Sequence, residues 1–187
     1  MIPDVDPCVA RYRDLKNLKL VGSELGIPWQ TVYTRLKRAG EPITGDKSRY
    51  GSETDRLAAR AERWFQAVVP EAVDQNQECF QAPVDFIVGA HRIDVKVSRP
   101  HTSKSGVLQW CWSIKKQAST ADFFVCIALL SVGDDLKVFR TLAIPGELAR
   151  HYQTIRISWS GSVRGKWSDY EITPSALSQF FAETEAL

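Results

Sequence analysis

The stretch from Pro83 to Ser98, PVDFIVGAHRIDVKVS, gathers two aspartates and a lysine around a short turn signal. If Gly89-Ala90, set between two apolar-rich runs, forms a two-residue hairpin turn, Val88 pairs with His91, Ile87 with Arg92, Phe86 with Ile93 and Asp85 with Asp94; a longer turn would change that opposition but not the shared face of Asp94 and Lys96. Alternation along a strand then puts Asp85, Asp94 and Lys96 on one face and Ile93, Val95 and Val97 on the core face. Directly opposed carboxylates repel and destabilise a strand pair. A divalent cation reverses that sign: oxygen ligands with open positions suit Mg²⁺ or Mn²⁺, and such an ion can activate water and stabilise charge on a phosphoryl group. Lys96 beside it could orient or deprotonate the water, or pair with a phosphate.

The elements that must hold these residues follow from the same sequence. Ser52 and Asp55 have capping-box spacing, and Leu57, Ala61, Trp64 and Val68 form a helical stripe that Pro70 closes. Strand-like runs follow at Val84–Val88, Arg92–Ser98, Val107–Ile114, Phe123–Val132, Leu136–Ile144 and Thr154–Trp159. The Phe123 run is apolar on both faces, as a central strand must be. Thr173 and Pro174 open a last helix containing Phe180 and Phe181. One α+β body with a central mixed sheet accounts for this order. Trp110 and Trp112 fit that core, His91 and His101 are isolated surface histidines, and Cys8, Cys79, Cys111 and Cys126 lack zinc-site spacing and read as reduced thiols.

The pattern of an acid, a hairpin and then acid-x-Lys, here Asp85 and Asp94-Val95-Lys96, resembles the PD-(D/E)xK nuclease superfamily. The similarity runs from about Gly51 to Pro145. It takes in the helix beginning near Glu53, the Ala121-Asp122-Phe123-Phe124-Val125 strand opening and the close at Ile144-Pro145; Val84 separates Pro83 from the first acid, a common variation. The resemblance implies a restriction-endonuclease-like mixed central sheet flanked by helices, and metal-dependent phosphodiester hydrolysis. Asp85, Asp94 and the Val95 carbonyl would be ligands and Lys96 the catalytic base or stabiliser. Glu53, Asp55 and Glu62 compete for the role of helix acid. At about 100° per residue with Leu57 at zero, the stripe centres near +20°, Glu53 falls near −40°, Glu62 near +140° and Asp55 near +160°. Glu53 is therefore the expected third metal-site acid, with Asp55 as a cap and Glu62 as a solvated charge.

The N-terminal segment has its own logic. Asp6-Pro7 starts one helix, Leu18–Leu25 forms a second that Gly26 breaks, and a third runs from Ile27-Pro28 to Gly40. Small Gly22, the Gly26 turn and apolar Val21, Leu25, Ile27, Val32 and Leu36 resemble the helix-turn-helix family of DNA-binding domains. That resemblance implies major-groove entry by the third helix, with Trp29, Gln30, Thr31, Tyr33, Thr34, Arg35, Lys37 and Arg38 facing DNA. Gln30 and Arg35 can make bidentate contacts to base edges, while Lys37 and Arg38 suit phosphates. Residues 10–50 carry nine Lys/Arg against four Asp/Glu, and residues 51–187 carry fifteen against sixteen. Arg92, Arg99, Lys104, Lys115 and Lys116 extend a phosphate track beyond the hairpin. The expected organisation is a helix-turn-helix domain over 1–42, a linker over 43–51 and the nuclease-like body over 52–187.

At 187 residues, 44% hydrophobic and 25% charged, the chain suits one well-covered core with a small appendage. Its longest apolar run, Phe123–Leu130, is too short to span a bilayer, and the acidic start lacks a secretory pattern, so a cytoplasmic place is expected. The sequence supports a Mg²⁺- or Mn²⁺-dependent DNA endonuclease of restriction, homing or junction-resolving type. The alternative is a non-catalytic DNA-binding regulator on a degenerate nuclease fold. Whether it acts as a homodimer to cut both strands is left open.

Overall fold

The computed structural model describes residues 6–77, 82–114, 120–133, 136–159 and 165–185. Three helices come first: α1 (Pro7–Leu15), α2 (Leu18–Leu25) and α3 (Trp29–Arg38). Asp6 caps α1 by accepting from the Cys8 N–H at 2.8 Å, and the Asn17 side chain accepts from the Lys19 and Leu20 N–H groups of α2. Gly26 closes α2 at φ 66°, a left-handed conformation that glycine adopts without penalty. Cys8, Val9, Tyr12, Val21, Val32 and Leu36 form a small core, against which Ile43 packs.

The stretch expected as a linker contains a further helical turn, α4 (Lys47–Tyr50). Asp46 initiates it, accepting from the Arg49 N–H at 2.9 Å and the Ser48 hydroxyl at 2.7 Å. The polar composition that reads as a linker is thus an N-cap with its first turn. Helix α5 (Glu53–Val68) opens with the predicted capping box between Ser52 and Asp55. Its buried stripe is Leu57, Ala61 and Phe65, continued by Val69 just past the helix; Trp64 and Val68 are only partly buried.

The remaining elements are β1 (Val73–Asp74), β2 (Phe86–Val88), β3 (His91–Ser98), β4 (His101–Thr102), β5 (Leu108–Ser113), β6 (Phe123–Leu129), β7 (Val138–Pro145), α6 (Gly146–Ala149), β8 (Thr154–Ser158), β9 (Glu171–Ile172) and α7 (Leu177–Glu185). They form a mixed six-stranded sheet in the order β1-β2-β3-β6-β7-β9 and a separate three-stranded sheet, β4-β5-β8. The Val107 and Thr154 runs therefore pair with each other and not within the central sheet. Two-residue β1, β4 and β9 are too short to leave a period-2 signal in sequence.

Strand β6 lies parallel to β3 and antiparallel to β7. Val125, Ile127 and Leu129 face a core closed by α5 and α7, while Phe124, Cys126 and Ala128 face a second core closed by Trp110, Trp112, Ile155 and Ile157 of the small sheet. The Trp110 and Trp112 indole N–H groups donate to the Leu129 and Ile127 carbonyls at 2.8 and 3.2 Å, so neither ring buries an unsatisfied donor. Arg92 and Asp122 clasp the start of the parallel pair. The Arg92 guanidinium and backbone N–H both donate to the Asp122 carboxylate at 2.8–3.0 Å, and the Asp122 N–H returns a bond to the Arg92 carbonyl at 2.7 Å. Among the described residues, no helix is long and apolar enough to cross a membrane.

The contact between α2 and α3 gives a direct test. A Cβ on Gly22 would lie 2.6 Å from the Ile27 carbonyl oxygen. Gly22→Ala gains about 1 kcal/mol of helix propensity but forces backbone apart, typically at a cost of about 1–3 kcal/mol. We expect net destabilisation of the N-terminal helices, seen as a lower urea midpoint; a raised midpoint would show that the helices separate freely.

Candidate active site

The β2–β3 hairpin has the predicted register: Val88 pairs with His91, Ile87 with Arg92 and Phe86 with Ile93. Gly89 supplies the positive φ of its turn, at 56°. The ladder stops there. Asp85, expected opposite Asp94, sends its N–H to the Ile93 carbonyl at 3.0 Å, so Asp85 and Phe86 both address Ile93, as in a β-bulge. The displacement lets the Asp85 carboxylate accept from the Val95 N–H at 2.8 Å. Val95 thus anchors the first acid through its nitrogen, which spacing could not reveal.

Asp94 and Lys96 share the face of Phe124 and Cys126, their partners on β6, while Ile93 and Val95 enter the opposite core as expected. The Lys96 ammonium pairs with the Asp94 carboxylate, and both side chains are largely covered, at 30% and 17% exposure. Burial, and then the neighbouring Asp94, push the Asp85 carboxyl up from 3.8 to about 6, with Lys96 acting in the opposite direction. Burial also pushes the Cys126 thiol up, so it is an inert wall beside Lys96.

This donor set fits a divalent cation. Asp94 raises the proton affinity of the half-buried Asp85 carboxyl, and positive charge beside the pair would relieve that repulsion. Among the described residues, no three His, Cys, Asp or Glu side chains converge closely enough to chelate an ion unaided. Mg²⁺ is commonly held by one or two carboxylates completed by water and substrate phosphate, an arrangement that two aspartates satisfy.

The helix acid differs from expectation. Glu53 is two-thirds exposed and ion-paired with Arg99, and the charges acting on it are those of Arg99, Arg56 and Arg60. Glu62 is instead the α5 acid in the field of the site: burial raises its carboxyl first, and Asp85 and Asp74 raise it further, against Lys47 and Lys96. Helical angle does not separate the two: the buried helical residues Leu57, Ala61 and Phe65 centre near +40°, which leaves Glu53 and Glu62 about 80° and 100° away on opposite flanks, and it is the Arg99 partner that engages Glu53. Asp55 is the cap, as predicted. Glu62, Asp74, Asn76 and Phe86 line a cleft of about 310 Å³, whose other wall carries Lys16, Lys47 and Arg63. None of these cations is conspicuous in sequence, because each is a single charge in a different segment. Among the described residues, the Asn76 side-chain nitrogen is buried in this region without an acceptor.

The expected DNA-facing residues differ in placement. Gln30, Thr34, Lys37 and Arg38 are exposed on α3 and lie opposite buried Val32 and Leu36. Thr31 is half-buried, and Trp29 and Tyr33 are 43% and 42% exposed along one flank. Arg35 points back toward α1, 4.0 Å from Asp6 and 3.8 Å from the Cys8 sulfur. Arg92 and Arg99 are engaged by Asp122 and Glu53, while Lys104 is exposed in the turn between β4 and β5. Lys115 and Lys116 lie outside the described residues.

The architecture is mixed α+β, with a mixed sheet, flanking helices and a hairpin carrying Asp85, Asp94 and Lys96 between β1 and β6. No protein-family model matches this chain, and no curated protein does. Among solved structures, a bacterial homing endonuclease, I-Ssp6803I, is similar, with a TM-score of 0.44 and 15% identity over 70% of this chain and 91% of that one.

Removing the charge of Asp85 tests the strain in the hairpin. Asp85→Asn keeps an oxygen for the Val95 N–H. The native carboxyl binds its proton near 6 and the unfolded one near 3.8, so between these values the native state holds more protons and loses stability as pH rises. The variant should melt above the parent at pH 7.5, and the gap should close as pH falls from about 6 to about 4. Circular dichroism melts across that range check it; equal melting at pH 7.5 would mean that the carboxylate is not strained.

Proposed function

We propose that this chain is a metal-dependent DNA endonuclease of the PD-(D/E)xK kind, with its N-terminal helices as a DNA-binding arm. The observation that carries the proposal is the meeting of Asp85 and Asp94 beside Lys96 at the bulge of the β2–β3 hairpin, where Asp85 is held by the Val95 N–H. Such an arrangement is unfavourable for stability alone and favourable for binding a cation and a phosphodiester. Asp85, Asp94 and the Val95 carbonyl would hold Mg²⁺ or Mn²⁺, which when bound supplies Lewis-acid stabilisation and an acidified water.

The chain's own groups supply the rest. Lys96, already paired with Asp94, is a donor held beside the acids and suits a non-bridging phosphate oxygen. Glu62, with its proton affinity raised by burial and by Asp85, is the α5 carboxyl suited to hold a water or take up a proton at this site. Glu53 takes the lesser role of holding Arg99. Gln30 and Thr34 on the outer face of α3 suit base edges, and Lys37 and Arg38 suit phosphates.

Nicking of supercoiled plasmid in Mg²⁺, with chelator as control, tests the reading. Asp94→Asn and Lys96→Ala should each lower cleavage at least a hundredfold while DNA affinity stays within threefold, and Glu62→Gln should impair cleavage more than Glu53→Gln. Undiminished cutting by Asp94→Asn overturns the assignment. Mg²⁺ should also raise the melting temperature of the parent and not of Asp85→Asn; metal uptake and DNA binding without hydrolysis would favour the regulator reading.

A further inference from the structure

Trp29 and Tyr33 sit four residues apart on α3 and so share one face, yet that face is not the outer one that suits a duplex. Both rings are well exposed, at 43% and 42%. They border a groove of about 520 Å³ whose floor is Tyr12, Leu18 and Ile43 and whose rim carries Lys16 and Lys19. The lining includes no Asp or Glu. Its volume falls within the range of about 300–1,000 Å³ usual for small-molecule sites.

We propose that this groove is a subsite for a single unpaired nucleobase of a DNA strand. The inference rests on the DNA-binding reading and deepens it. Two flat rings over an apolar floor match the π-face that every base presents, and the two rim lysines match the phosphates on either side of it. Lys16 lies over the Tyr12 ring, 5.5 Å from its centroid, whereas an apolar peptide would bring no anion to Lys19 on the rim, and a paired base would keep its faces stacked within the duplex. Lys16, Thr44 and Gly45 line both this groove and the cleft lined by Glu62 and Asp74, so the two cavities share a wall. A strand whose base is held between Trp29 and Tyr33 would leave the groove toward that wall. The site thus suits DNA with a locally opened or bulged nucleotide.

The test uses the full chain in EDTA, which prevents cleavage, with three fluorescein-labelled oligonucleotides: a paired duplex, the same duplex with one unpaired nucleotide, and the single strand. Trp29→Ala and Tyr33→Ala should each weaken binding of the bulged duplex and single strand roughly tenfold, with the paired duplex changed less than twofold. Trp29→Phe should retain most of the affinity, since it keeps a ring to stack on. Quenching of intrinsic fluorescence by the single strand should be smaller in Trp29→Phe at unchanged far-ultraviolet circular dichroism. Because Trp29 is largely outside the small helical core, its loss leaves that core filled. Equal losses on all three probes, or none, overturn the subsite. Failure of the parent to bind the paired duplex while holding the single strand overturns the duplex-binding arm and leaves the subsite standing.

Discussion

Burial of β6 on both faces is the constraint from which the rest of the body follows. A strand running FFVCIAL presents apolar side chains to both sides, so each side needs its own cover. Helices α5 and α7 supply one and the small sheet supplies the other. Strand β3 is held beside β6 and shares this enclosure, which is why Asp94 and Lys96 lie mostly out of water although neither is apolar. At the bulge of the β2–β3 hairpin the half-buried Asp85, Asp94 and Lys96 meet.

At that edge local stability and reactivity pull in opposite directions. An isolated hairpin would gain from Asn at position 85; the native aspartate keeps a like charge against Asp94 in a partly desolvated notch. Lys96 offsets part of the repulsion, and the Val95 N–H fixes the acid's position without neutralising it. On the proposed reading, carboxylates so held would need little reorganisation to take up a cation.

Much of this arrangement was legible in the chain. Gly89-Ala90 specified the turn and hence the register up to Phe86 and Ile93, and alternation correctly separated Asp94 and Lys96 from Ile93 and Val95. The bulge at Asp85 was not legible, because one extra residue in a strand changes no pattern until a backbone bond is seen. The placement of Glu53 was not legible for a different reason: helical angle sets both Glu53 and Glu62 on the flanks of the stripe, and what engages Glu53 is Arg99, from a distant part of the chain. Arg35 and Arg92 illustrate the same limit. Type and spacing identify a cation, whereas its partner, Asp6 or Asp122, comes from a distant part of the chain.

The parallel pairing of β3 with β6 has a kinetic consequence. Its first contact joins Ile93 to Phe123 and the Arg92–Asp122 clasp spans the same interval, so the loop between them must close before either is formed. The hairpin, by contrast, can form early from neighbouring residues. The nascent turn therefore carries its two aspartates while still hydrated, where their repulsion is screened, and the strained juxtaposition arises only as β6 docks and expels water. Desolvation of the acids is thus coupled to closure of one of the two longest-range pairings in the central sheet, the other being that of β7 with β9.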